Sequence, residues 1–174
     1  ASEIAEAYGM TMVETLTGFK FIGEKIPATL ETFNNSPYIL GFYSDNEIPA
    51  QEDMLYCYLT IDAVEPVNAF SYATAWTWFM RATGKANPTT ADITPELSEE
   101  FKAFVYNRYY KVITDELAKV DTNHIYMGNR IHSENKNSEG YLRAAGQYVD
   151  LLTVNLYGFG LVSVANTGNV GDSV

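Results

Sequence analysis

The apolar positions of this chain change period several times. Between Met10 and Ile26, the residues Val13, Leu16, Phe19, Ile22 and Ile26 recur every three or four positions, the stripe of one helix face. Pro27 closes that segment, because the residue before a proline is pushed out of the helical region. Pro37–Tyr43 (PYILGFY) is a short apolar run without helical period and predicts a buried strand, which stops at Ser44-Asp45-Asn46-Glu47. Met54–Thr83 is rich in Ala, Tyr and Trp and predicts two helical pieces broken near Pro66. After the loop Gly84–Ile93 a strong helix start appears. Thr94 can cap, Pro95 takes the first helical position, and Glu96, Glu99 and Glu100 suit the positive end of the dipole. Leu97, Phe101, Phe104, Val105, Tyr109, Val112, Leu117 and Val120 give that helix a long apolar face. Asp121-Thr122-Asn123 reads as a turn, His124–Ile131 as a strand, and Ser133–Ser138 as a polar loop. A helix then runs through Tyr141, Leu142, Ala145 and Tyr148, and Asp150–Tyr157 (DLLTVNLY) predicts another buried strand.

Strands separated by helices need crossover connections and so imply a parallel α/β sheet. The pattern alone does not separate a doubly wound sheet from a barrel. With 174 residues the chain is long enough for one domain with a sizeable core. Its 47% apolar content excludes disorder through low hydrophobicity. The net charge of −11 argues against a nucleic-acid partner, whose phosphates need a basic footprint. No apolar run approaches the roughly 20 residues that span a bilayer, so no membrane partner is expected. The single Cys57 leaves no intrachain disulfide, and two His with scattered acids give no metal-ligand spacing. The chain does not begin with Met and carries no signal-peptide pattern, which suggests a processed chain or a piece. The tail 165–174 lacks periodicity and is expected to be loose.

Chemistry collects where the strands end. Each predicted strand is apolar through its body and turns polar only at its C-terminal end: Asp45/Asn46/Glu47, then Arg130/His132, then Asn155/Tyr157. In parallel α/β folds the site lies at those ends, so the clusters from three strands are candidates for one cleft. The plain alternative is that strand ends are polar because they meet water. A carboxylate beside an amide has a use in glycoside cleavage. One carboxyl protonates the leaving oxygen, a second attacks or activates water, and hydrogen bonds to the sugar 2-OH strengthen in the transition state. Asn46-Glu47 offers such an acid and such a hydrogen-bonding partner.

Three stretches carry a family resemblance. SPYILGFYSDNEIP at Ser36–Pro49, DTNHIYMGNRIH at Asp121–His132 and RAAGQYVDLLTVNLYG at Arg143–Gly158 resemble the agarase-like and β-galactosidase-like glycoside hydrolases of the retaining (β/α)8-barrel clan. They stand in the family's order with helices between them, and the resemblance spans residues 35–158, about 70% of the chain. The resemblance implies a partial TIM-barrel-like fold, strands 4 to 6 with their helices. It makes Glu47 the general acid/base and Asn46 the residue that holds the sugar 2-OH. Arg130, His132, Asn155 and Tyr157 would line the subsites. It implies an agar-type galactan as substrate, no cofactor, a secreted or periplasmic location, and the remainder of the barrel as a partner. Trp76 and Trp78 could stack on sugar rings, but Tyr72, Ala75 and Phe79 place them on an apolar helix where core packing is the expectation.

The chain also departs from that family. The nucleophile should be a glutamate ending strand 7, yet after Gly158 the only acid is Asp172. A whole barrel takes about 250 residues. The expected organisation is a helical segment over 1–34, a partial barrel over 35–164 and the tail. The competing reading is a non-catalytic carbohydrate-binding or remnant scaffold. A third rests on Glu14–Ile26 (ETLTGFKFIGEKI), which is similar to a segment of the phosphohexomutases. That family's phosphoserine, metal and sugar loops have no counterpart in this sequence, and an amphipathic helix is the simpler account.

Overall fold

The computed structural model describes residues 33–156. The helices begin where local chemistry starts them. Helix α1, Met54–Thr60, is followed by α2, Pro66–Thr83, with Pro66 in the first turn where its missing N–H costs nothing. Helix α3, Pro95–Leu117, opens with the Thr94 hydroxyl accepting from the Leu97 N–H at 3.3 Å. Helix α4, Glu139–Ala145, starts in the same way, the Tyr141 N–H reaching Ser138 Oγ at 3.3 Å. The break expected near Pro66 and the start expected at Thr94 both stand.

The strands are shorter than the apolar runs that predict them. β1, Gly41–Phe42, pairs in parallel with β3, Ile125–Tyr126. β2, Asp45–Asn46, pairs in parallel with β4, Asn129–Arg130. These are two pieces of one pairing: the Met127 and Ser44 N–H groups bridge them, donating to the Phe42 and Gly128 carbonyls at 2.8 Å. A third extended segment joins through a parallel bridge between Ile131 and Val154. Three parallel segments therefore lie side by side in chain order, separated by helices. This agrees with the expected α/β class. An eight-stranded barrel is not present among the described residues.

Helix α3 packs on α4 and on α1, and α1 packs on α2, around a core of Leu55, Leu59, Phe79, Phe101, Tyr106, Tyr110, Ile131 and Tyr141. Trp76 and Trp78 join it, as expected for core residues. The Trp76 indole donates to the Leu59 carbonyl at 3.2 Å, and the Trp78 ring stands edge-on to Phe101 at 5.1 Å.

Two expectations need correction. Pro37–Tyr43 is not a buried strand, since Tyr38 is 95% exposed and Leu40 68% exposed. Nor is Asp150–Tyr157 buried, with Leu151, Leu152, Val154 and Leu156 all exposed. Among the described residues each of these segments is paired on one side, whereas an apolar run signals burial on both. The Met10–Ile26 helix, the Glu14–Ile26 resemblance, Tyr157 and the tail lie outside the described residues, as do most of the segments 1–34 and 159–164.

Candidate functional site

The ladder sets the geometry of the strand ends. The Glu47 N–H donates to the Arg130 carbonyl at 2.9 Å, so Glu47 leaves the sheet level with the end of β4. It leaves in the left-handed region, with φ 56°, a conformation uncommon for a residue with a side chain and concentrated at functional sites. On the next segment, the Asn155 N–H donates to the Ile131 carbonyl at 2.7 Å. These paired termini bring side chains from three segments together. Asn155 Nδ2 donates to Glu47 Oε1 at 2.7 Å and to Asn46 Oδ1 at 3.1 Å. His132 Nδ1 lies 4.0 Å from Glu47 Oε2. The Glu47 side chain is 28% exposed and that of His132 37%, so both are sheltered yet reachable.

Of the residues singled out in the sequence, Asn46, Glu47, His132 and Asn155 thus gather around one carboxyl group. Arg130 stands beside them along the chain. It is exposed, and its guanidinium carbon sits 5.5 Å from the centre of the Tyr43 ring. Asp45 turns inward along its own backbone, accepting the Asn46 N–H at 2.8 Å.

The sequence missed the groups behind the carboxylate. Asn129 and Asn135 are both buried. Asn129 Oδ1 accepts the Ile48 N–H at 3.3 Å, while its Nδ2 donates to the Tyr141 hydroxyl. Asn135 Oδ1 accepts the Ala50 N–H at 2.9 Å, and its Nδ2 donates to the Ile48 carbonyl. The Tyr106 hydroxyl donates to the Pro49 carbonyl. Below them the Ser44 hydroxyl meets the Tyr109 and Tyr126 hydroxyls at 3.0 and 2.8 Å. Burial raises the pKa of the Tyr106, Tyr110, Tyr126 and Tyr141 phenols, and pushes that of Tyr109 up to about 12 against the opposing pull of its Ser44 bond. All five therefore stay neutral and able to donate at ordinary pH. Nothing in an asparagine's sequence context distinguishes a buried one from a solvated one, so only the packing reveals this set.

The described residues contain no group of three or more His, Cys, Asp or Glu side chains arranged to hold a metal. No described helix is long and apolar enough to cross a membrane.

No family model matches the chain, and no curated protein sequence matches it. Solved structures do. BpGH50 superposes with a TM-score of 0.63 at 26% identity, over 91% of this chain and 37% of its own. AgWH50C, an agarase, superposes with a TM-score of 0.55 at 21% identity, over 85% of this chain and 24% of its own. This chain therefore spans a little over a third of the first and about a quarter of the second. Both likenesses support the agarase-like reading at the level of the fold. They lend no support to the phosphohexomutase resemblance.

Proposed function

We propose that this chain is the acid/base-bearing part of a retaining glycoside hydrolase that cleaves β-galactoside linkages in an agar-type galactan, outside the cytoplasm. The observation that carries the reading is the Glu47 carboxyl, held at 2.7 Å by Asn155 with Asn46 on the same amide, at the C-terminal ends of adjacent parallel segments. Glycoside cleavage needs a carboxylic acid poised on the leaving oxygen and hydrogen bonds on the neighbouring hydroxyls. Glu47 supplies the first: it protonates the glycosidic oxygen as the bond to the anomeric carbon breaks. In the second half-reaction the same carboxylate takes a proton from water. Asn46 holds the sugar 2-OH, where a hydrogen bond strengthens as charge develops at the anomeric carbon. Arg130, His132, Asn155 and Tyr157 contact the flanking sugars. The covalent step requires a second carboxylate about 5–5.5 Å from the first; we assign it to no described residue.

Two features favour a glycosidase over a scaffold that only binds sugar. The acid is sheltered without being sealed, and its backbone is held in an uncommon conformation. The test is reducing-sugar release from agarose, porphyran and simple β-galactosides by the 174-residue chain and by Glu47→Gln. Release by the parent and a fall of about 100-fold or more in the variant is the expected result, general acid catalysis being worth roughly 100- to 10,000-fold. Equal release by both rejects Glu47 as the acid. Binding of galactan oligosaccharides without release by either favours the carbohydrate-binding scaffold.

A further inference from the structure

The chain that leaves Glu47 is fastened by side chains where the sheet no longer can fasten it. The last ladder bond described for this segment is the one from the Glu47 N–H to Arg130. Beyond it, the Ile48 N–H, the Ile48 carbonyl, the Pro49 carbonyl and the Ala50 N–H are taken in turn by Asn129, Asn135, Tyr106 and Asn135. The three anchoring residues are each at most 5% exposed. Buried backbone groups must find partners, but a loop usually finds them in water or within itself. Here they are met by an amide that spans two of them. Asn135 imitates a neighbouring strand, offering an acceptor and a donor to backbone groups two residues apart.

The geometry points to Asn135 as a positioning residue for the Glu47 carboxyl, with Asn129 as its support. This rests on the glycosidase reading only for its catalytic consequence. The turn that carries Asn135, Ser133–Asn137, follows His132 directly. One amide therefore ties the loop after the acid to the segment bearing His132, whose ring stands 4.0 Å from the same carboxyl. A residue held at φ 56° relaxes unless its surroundings over-determine it. The clamp on Ile48 and Ala50 supplies that constraint on one side and Arg130 on the other. Without the clamp, Glu47 regains an ordinary backbone and its carboxyl withdraws from Asn155. Displacements of about 1 Å at a reacting group can cost on the order of 100-fold in rate.

The test follows the Asn155 side-chain amide by NMR in the full chain. In the parent, Glu47→Gln shifts the Asn155 Nδ2 protons, because their acceptor at 2.7 Å changes. In Asn135→Ala the same second substitution is expected to leave them unmoved. In Leu59→Ala, which weakens packing in α1 without touching the clamp, the response is expected to persist. That control separates positioning from general loss of stability. Should Asn135→Ala not fold, Asn135→Ser serves, since its hydroxyl reaches one backbone group but does not span both. Kinetics add a second readout: kcat falls by about 100-fold while KM stays within about twofold. If the parent releases no sugar, as a part without its nucleophile would, the positioning role is judged by the amide signals alone. An Asn155 response that persists undiminished in the Asn135 variant, or an unchanged kcat, overturns it.

Discussion

Tyr141 shows how much of this molecule is decided by single polar atoms inside the core. Its hydroxyl accepts from Asn129 Nδ2 and shares a 2.7 Å hydrogen bond with the Tyr110 hydroxyl. The side chain is fully buried. Replacing it by Phe keeps the ring and its edge-on contact with Tyr106 at 4.6 Å, but leaves the Asn129 amide without its acceptor. An unsatisfied buried donor costs about 1–3 kcal/mol. Tyr141→Phe is therefore expected to lower unfolding free energy in urea by that amount, and a loss under about 0.5 kcal/mol would show that Asn129 finds another partner. At this scale the sequence told half the story. Asn46, Glu47, His132 and Asn155 were legible because a parallel strand that is apolar through its body exposes chemistry only at its end. Asn129 sits one residue before Arg130 in the same polar ending and looks identical in kind, yet it points into the core. Composition shows only that the chain is rich in Tyr, of which Tyr106, Tyr110, Tyr126 and Tyr141 are buried in the core while Tyr38, Tyr43 and Tyr56 are exposed. What it did not disclose is that the tyrosine hydroxyls serve asparagines and loop carbonyls rather than solvent.

At the scale of elements, the crossing of α3 and α4 is the tightest contact. A Cβ on Gly140 would lie 1.9 Å from the Glu99 carbonyl oxygen, a distance no packing can accept. The Glu99 carboxylate also reaches over the start of α4, accepting from Ser138 Oγ at 2.7 Å and the Gly140 N–H at 2.8 Å, and it pairs with the buried Lys102 at 2.7 Å. Burial opposes its charge, but these donors together hold its pKa below the ordinary glutamate value. Gly140→Ala forces the helices apart and strains the Glu99 bonds to Ser138 and Gly140. A destabilisation of about 3 kcal/mol or more is expected, at the upper end of overpacking effects. A thermal midpoint within about 2 °C of the parent would mean that the crossing is looser than described. The helices themselves were readable because Thr94, Pro95, Ser138 and Pro66 act locally. The strands were readable only as extended, apolar chain. Their interruption at Gly128, with φ 64° and Val149 packed where a side chain would project, depends on a residue 21 positions away. The exposure of Leu40 and Leu151 depends on what lies beside the sheet, and an apolar run carries no record of its neighbours.

At the scale of the molecule the two ends of the strand array differ in kind. The C-terminal end holds Glu47 and its amides; the other end is closed by an ion pair. His124 Nδ1 meets the Asp121 carboxylate at 2.7 Å, and its Nε2 faces the Ser36 carbonyl at 3.0 Å. Both partners are acceptors, so the ring binds best when it carries both protons. The Ser36 carbonyl first and the Asp121 carboxylate second raise the His124 pKa above its usual 6.5. Burial opposes the Asp121 charge, but the bonds from the His124 ring and from the Asn123 and His124 N–H groups outweigh it and hold its pKa below 3.8. The sign follows from each shift. The His124 contribution is complete below pH 6.5 and is lost as pH rises through its raised folded value. The Asp121 contribution is complete above pH 3.8 and is lost as pH falls through its lowered value. Their joint stabilisation is therefore greatest on the acidic side of neutrality, between those limits. A chain with 22 acidic and 11 basic residues also gains from keeping one more positive charge in that window, since self-repulsion grows as pH rises. Removing the titration isolates the local part. In His124→Gln the general charge effect remains while the staple is gone. The thermal midpoint of the parent should exceed that of the variant most below pH 6.5, and the gap should narrow as pH rises through the raised His124 value. A gap that stays constant across that range would mean that His124 packs as a neutral ring against Phe42, whose centroid lies 5.5 Å away. Because Ser36, Asp121 and His124 sit at the opposite ends of the strands from Glu47, the cleavage proposed for Glu47 should follow this pH dependence only through the folded fraction.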